Sequence, residues 1–126
     1  CKNKVKKERE EYYYNGKGQL VKCQMYKNDV LINTTLHFYN MLGQETSTSI
    51  NGWEEQIKYD KYGNEIWQKW YPELRWWNGD DKFPTSPIEA ISEFSYVYDE
   101  FGNWTEFRQY RNGQYNRLRL RKILYK

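Results

Sequence analysis

A six-residue phrase, Tyr-(Asn/Asp)-x-x-Gly-(Gln/Asn), occurs four times in this chain and constrains its fold more than any other feature. The copies begin at Tyr14, Tyr39, Tyr59 and Tyr98. Each reads as a strand end, a tight turn and a strand start. Tyr is a strand former, and Asn15, Asn40, Asp60 and Asp99 open a turn by bonding their own backbone. Gly18, Gly43, Gly63 and Gly102 supply the positive φ that closes a four-residue loop, often with a bulge. An internal repeat fixes architecture before any single residue does. Here it gives strand–turn–strand units, and every residue in the phrase has a scaffold reason to be there.

Between the repeats the same alternation continues. Strand-like runs cover 10–14, 19–26, 30–39, 44–50, 53–59, 64–71, 88–98, 103–110 and 115–125, with further turns at Lys27-Asn28-Asp29, Asn51-Gly52 and Arg111–Gln114. The expectation is an all-β, antiparallel meander of about nine strands built from repeated hairpins, curled or sandwich-like. Composition agrees: aromatic residues make up 19% of the chain, with 13 Tyr and 6 Trp, a balance suited to a pleated, half-exposed surface. The 126 residues suffice for one domain, read as 11–126 behind a flexible tether at 1–10. No apolar run reaches the ~20 residues a membrane helix needs.

The phrases at 57–64 and 96–105, the latter ending Tyr98-Asp99-Glu100-Phe101-Gly102-Asn103-Trp104-Thr105, resemble YD repeats of the RHS class. They resemble more closely the short YD-repeat lipoproteins common in Bacteroidetes. The first half, with Tyr13-Tyr14-Asn15-Gly16, is also similar to MORN-like repeats of antitoxin and immunity proteins. These resemblances imply a hairpin-built antiparallel sheet with no cofactor and no shared catalytic residue. The opening Cys1-Lys2-Asn3-Lys4, followed by more charge, resembles a mature bacterial lipoprotein. That resemblance makes Cys1 the lipidated residue, a membrane anchor on the outer membrane facing the periplasm. Cys23 then reads as a small core residue beside Val21 and Met25, or as the partner of an unlipidated Cys1.

The repeat rhythm breaks once. Successive repeat tyrosines lie 25, 20 and 39 residues apart, and the long third interval isolates an insertion at 72–87 that holds all 3 prolines. Within it Trp76, Trp77, Asn78, Asp80 and Asp81 join two large rings to amide and carboxylate acceptors on a loop. That is a composition suited to a glycan, peptide or protein partner. The competing reading is that a Trp folds back to plug the sheet. Glu73, Asp80 and Asp81 lack the spacing of a recognised calcium loop, so no metal is expected.

Other chemistry is thin. His37, the sole histidine, is expected on the wetter face opposite Leu36 and Phe38, with no nucleophile suggested beside it. Glu54 and Glu55 point to opposite faces of a strand and cannot act together. The last strand alternates Arg117, Arg119 and Arg121 with Leu118 and Leu120; Leu118, Leu120 and Leu124 are expected to face the core, with the arginines outside protecting an edge. A net charge of +3, with 17 acidic residues as counterweight, does not suggest a nucleic-acid partner. The reading is a non-catalytic envelope binding module, with an immunity protein against a secreted toxin as the rival and a hydrolase third.

Overall fold

The computed structural model describes residues 7–126, so the lipidation and bridging expectations for Cys1 fall outside the described residues. The strands are β1 (Glu8–Tyr14), β2 (Leu20–Lys27), β3 (Val30–Tyr39), β4 (Glu45–Ile50), β5 (Trp53–Tyr59), β6 (Glu65–Trp70), β7 (Ala90–Tyr98), β8 (Trp104–Arg111) and β9 (Gln114–Leu120). They form one antiparallel sheet in sequence order, not closed into a barrel, with β1 and β9 outermost. The expected all-β meander is what the chain forms. Two boundaries move. β1 starts at Glu8, inside the stretch read as a tether, because Glu8 pairs with Lys27 and the Asn28 turn bonds the Lys7 backbone. β9 ends at Leu120 rather than Tyr125.

All four repeat turns lie along one side of the sheet, and each is built alike. The Asx side-chain oxygen accepts the N–H groups two and four residues on, at 2.9–3.0 Å, in every copy. The Gly takes φ between 78° and 86°, the left-handed region that only Gly enters cheaply. Each turn is followed by a bulge: Tyr14, Tyr39, Tyr59 and Tyr98 pair with Leu20, Glu45, Glu65 and Trp104, which skips Val21, Thr46, Ile66 and Thr105. The bulge re-phases the strand that follows. Simple alternation puts Trp104 opposite Phe107, whereas the two rings approach to 6.1 Å because Thr105 is looped out.

Neighbouring units are tied by tyrosine. The hydroxyls of Tyr39, Tyr59 and Tyr96 donate to the carbonyls of Leu20, Glu45 and Glu65, the residue just after the preceding turn, at 2.7, 2.7 and 2.9 Å. Turns 3 and 4 add a second tie. Tyr98 donates to Asp60, accepts from Asn64 at 3.1 Å and stacks on Tyr62 with ring centroids 4.1 Å apart. Tyr125 repeats this on Asp99, Asn103 and Phe101, at 2.5, 2.9 and 4.5 Å.

On the other side, Asn28-Asp29, Asn51-Gly52 and Asn112-Gly113 make two-residue turns with positive φ at both positions. Their Asn side chains accept N–H groups from the strand beyond, at Lys7, Thr34 and Ile91. The insertion takes the place of the β6–β7 turn in this series.

Two expectations about faces are corrected. Leu118, Leu120 and Leu124 do not face a core: β9 is an outer strand and all three are exposed. His37 lies on the more covered side, while Phe38 is half exposed, because Thr48 and Glu45 approach His37 across the strand pair. Cys23 is partly covered, and burial pushes its thiol pKa up.

The Asp60–Tyr98 tie gives a testable sign. Burial disfavours the Asp60 anion, but the Tyr98 hydroxyl and the N–H groups of Asn64, Tyr62 and Gly63 outweigh it and hold the carboxyl below its ordinary value. A depressed carboxyl stabilises the fold above its unfolded pKa, and that contribution is lost as pH falls through the folded value. Thermal melts should therefore show wild type losing stability as pH drops below about 4, with a shallower loss in Asp60→Asn. At neutral pH Asp60→Asn and Tyr98→Phe should each cost on the order of 1–2 kcal/mol, and the double variant less than their sum. Additive costs would show that the tie does not hold the units together.

Candidate functional site

The insertion is organised around one buried carboxylate. Glu55, on β5, is 5% exposed on a face it shares with Trp53 and Ile57, and an isolated carboxylate there would be expensive. It accepts the Tyr71 N–H at 2.9 Å and the Arg75 guanidinium at 3.2–3.3 Å. Tyr71 caps and Arg75 ends a single helical turn, α1 (Pro72–Arg75), which starts on Pro72 because Pro lacks the N–H that a first turn leaves unused. The insertion read as a loop therefore begins with helix. Arg75 also lies 4.7 Å over the Trp70 ring, with Arg111 at 5.3 Å from the same ring, and the Trp70 indole donates to buried Ser92 at 3.1 Å.

From that anchor the segment folds back over the sheet. Leu74 and Tyr71 join Ile50 in a buried cluster with Trp53 and Phe83 packed against it, the Trp53 and Tyr71 rings meeting edge-on at 5.4 Å. Glu73 accepts the Ile88 N–H at 3.3 Å and closes the base. Asp80 pairs with Lys27 on β2. Gly79 has φ +86°, which strains any other residue, and a Cβ there would lie 2.7 Å from Ile32 Cδ1, so the Ile32 side chain on β3 would have to move. The insertion is thus pinned at both ends and in the middle.

The five residues singled out in the sequence have different positions. Trp77 is partly covered, stacks edge-on with Phe83 at 5.0 Å and donates to the Asp81 carbonyl at 3.0 Å. Asn78 accepts the Asp80 N–H at 2.9 Å, and Asp80 turns to Lys27 rather than to the rings. Trp76, at the end of α1, is 77% exposed. The two readings of the loop therefore divide between adjacent residues: Trp77 packs inward and Trp76 is presented to solvent. Sequence reasoning missed Glu55, Arg75 and Lys27 as the anchors. The available signal was Glu55 itself, a carboxylate in register with Trp53, Ile57 and Tyr59.

A concavity of about 600 Å³ lies between the first two repeat turns, lined by Lys17, Val21, His37, Tyr39 and Met41 among others. Its counterparts at turns 3 and 4 carry the Tyr62–Tyr98 and Phe101–Tyr125 ring pairs. At turns 1 and 2 the equivalent positions hold Lys17 and Leu42, and no ring pair forms there. His37 meets Glu45, which also accepts the Thr48 hydroxyl at 2.7 Å, so the imidazole is oriented by a carboxylate at the margin of this groove.

No family model and no curated protein matches this chain.

Removing Arg75 should leave Glu55 buried with one remaining donor. Arg75→Ala is expected to destabilise the protein by about 2 kcal/mol, measured by urea unfolding. Gly79→Ala, which strains the backbone and meets Ile32, should free the insertion and expose Trp77. The readout is a red shift in Trp emission at unchanged far-UV dichroism. An unshifted spectrum in Gly79→Ala would show that the insertion is not pinned there.

Proposed function

We propose that the chain is a non-catalytic binding module that engages its partner through the insertion, with Trp76 as the principal contact. The observation that carries this reading is a large ring 77% exposed at the end of α1, in a segment that the Glu55, Ile88 and Lys27 contacts tie to the sheet. A Trp on a mobile loop loses conformational entropy when it binds; one on a fixed turn has already lost it, which favours binding. Trp is also the residue most enriched among energetically dominant interface positions. The partner classes that suit it are a glycan, whose ring stacks on the indole face, or a protein with a matching apolar recess.

The neighbouring chemistry is consistent with recognition. Arg75, the residue before Trp76, is held by Glu55 with part of its guanidinium accessible, and Asp81 and Lys82 are exposed further along the same insertion. These put charged groups in the same segment as one exposed aromatic side chain, a composition suited to a contact site. Neutralisation of a secreted toxin by direct contact is the protein-partner form of the same reading.

Trp76→Ala should fold as wild type, since the ring packs on little, and should lose at least tenfold in affinity for a partner captured from the native envelope or from a glycan array. Trp77→Ala should instead lower stability, with affinity falling only as the insertion loosens. Full binding by Trp76→Ala would refute the proposed contact.

A further inference from the structure

We propose that the free edge of β9 is a strand-addition site for an extended partner segment in which acidic and apolar residues alternate. β9 is an outer strand of the open sheet, and among the described residues no strand lies beside one row of its backbone groups. Which groups these are follows from the register. The Arg121 N–H bonds the Thr105 carbonyl at 3.0 Å, and Arg119 and Arg117 stand opposite Phe107 and Gln109. Bonded pairs alternate along an antiparallel ladder, so Arg117 and Arg119 direct their N–H and C=O groups at β8. Those of Leu118 and Leu120 point outward. Past Leu120 the chain continues along the fourth turn, where Tyr125 is seated on Phe101 and Asp99, and leaves the edge uncovered.

The side chains on this edge are sorted by face. Arg117 and Arg119 share one face with Phe107 and Gln109, and Arg119 and Arg121 lie 5.8 and 3.9 Å over the Trp104 ring, which holds their guanidinium groups in place. Leu118 and Leu120 occupy the other face at 44% and 69% exposure. Charges that merely protected an edge would not leave two leucines bare beside them. The local charge is one-sided as well. Residues 107–126 hold seven of the 20 basic residues and none of the 17 acidic ones, which leaves the rest of the chain at a net charge of −4. An added strand with carboxylates on the Arg face and apolar side chains on the Leu face satisfies the backbone row, the charge and the exposed apolar area together.

A labelled short peptide alternating Glu and Val is titrated by fluorescence anisotropy at low salt. Two controls accompany it: a block peptide of the same composition, and the alternating peptide N-methylated on one edge. The alternating peptide should bind about tenfold more tightly than either control. Arg117→Glu/Arg119→Glu should abolish that preference, while the charge-matched Lys17→Glu/Lys61→Glu and the Trp76→Ala variant retain it. Melting curves check that each variant is folded. Equal binding of all three peptides would reduce the edge to a basic patch, and no binding of any would remove the site; either overturns the proposal. Concentration-dependent self-association lost in both Arg117→Glu/Arg119→Glu and Glu8→Lys/Glu10→Lys would assign the edge to β1 of a second copy, and would also overturn it.

Discussion

The structure depends on each turn being held by the unit that follows it. Among the described residues only Ile50, Tyr71, Leu74, Pro87 and Ala90 are buried apolar side chains, so a dense core does not hold nine strands together. What joins the units is a tyrosine hydroxyl from one strand reaching the backbone just past the preceding turn, repeated at Tyr39, Tyr59 and Tyr96. Each such bond gives a carbonyl beside a bulge a side-chain donor from the next unit, and it fixes the offset between neighbouring turns. Ring contacts and stacked cations add area on top of this frame. Stability is therefore distributed along the sheet, in the manner of repeat proteins whose units contact only their neighbours.

The two spellings of the repeat phrase have a physical meaning. In the Asn-x-x-Gly-Gln copies, Asn15 and Asn40 donate from their amides to Gln19 and Gln44 at 2.8 and 2.9 Å, and the turn satisfies itself. In the Asp-x-x-Gly-Asn copies the second carboxylate oxygen has no internal donor. It accepts a tyrosine hydroxyl from beyond the turn, and the Asn amide donates to the same hydroxyl. The aromatic residue just before the Gly, Tyr62 or Phe101, packs on that tyrosine. The departure of the first two copies from the Asp-Asn spelling is thus coupled to the open groove between turns 1 and 2.

Much of this was legible in the chain. The repeat phrase, the Asn-Gly hairpins and the aromatic composition led to an antiparallel meander of about nine strands, because turn chemistry is local and depends on a few residues. The insertion was legible too, as the interval that breaks the rhythm. Side-chain facing was not. The bulge after each turn shifts alternation by one residue, so Trp104 and Phe107 end on the same side. The outer position of β9 removed the core that Leu118, Leu120 and Leu124 were expected to face. His37 was misplaced for a related reason: which side of a sheet is covered depends on what crosses it from elsewhere.

The sequence by itself determined the turns, the strand order and the place of the insertion, since Asx, Gly and Tyr at fixed offsets leave the backbone few alternatives. Only the tertiary structure decided what the insertion does with its two tryptophans. Adjacent residues with identical side chains have the same local preferences. What separates them is Glu55, distant in sequence, whose buried carboxylate captures Arg75 and the Tyr71 N–H and sets the direction of α1. That capture turns Trp77 toward Phe83 and leaves Trp76 in solvent. The cost of burying an unpaired charge, paid or avoided across the sheet, is a long-range quantity that no local pattern contains.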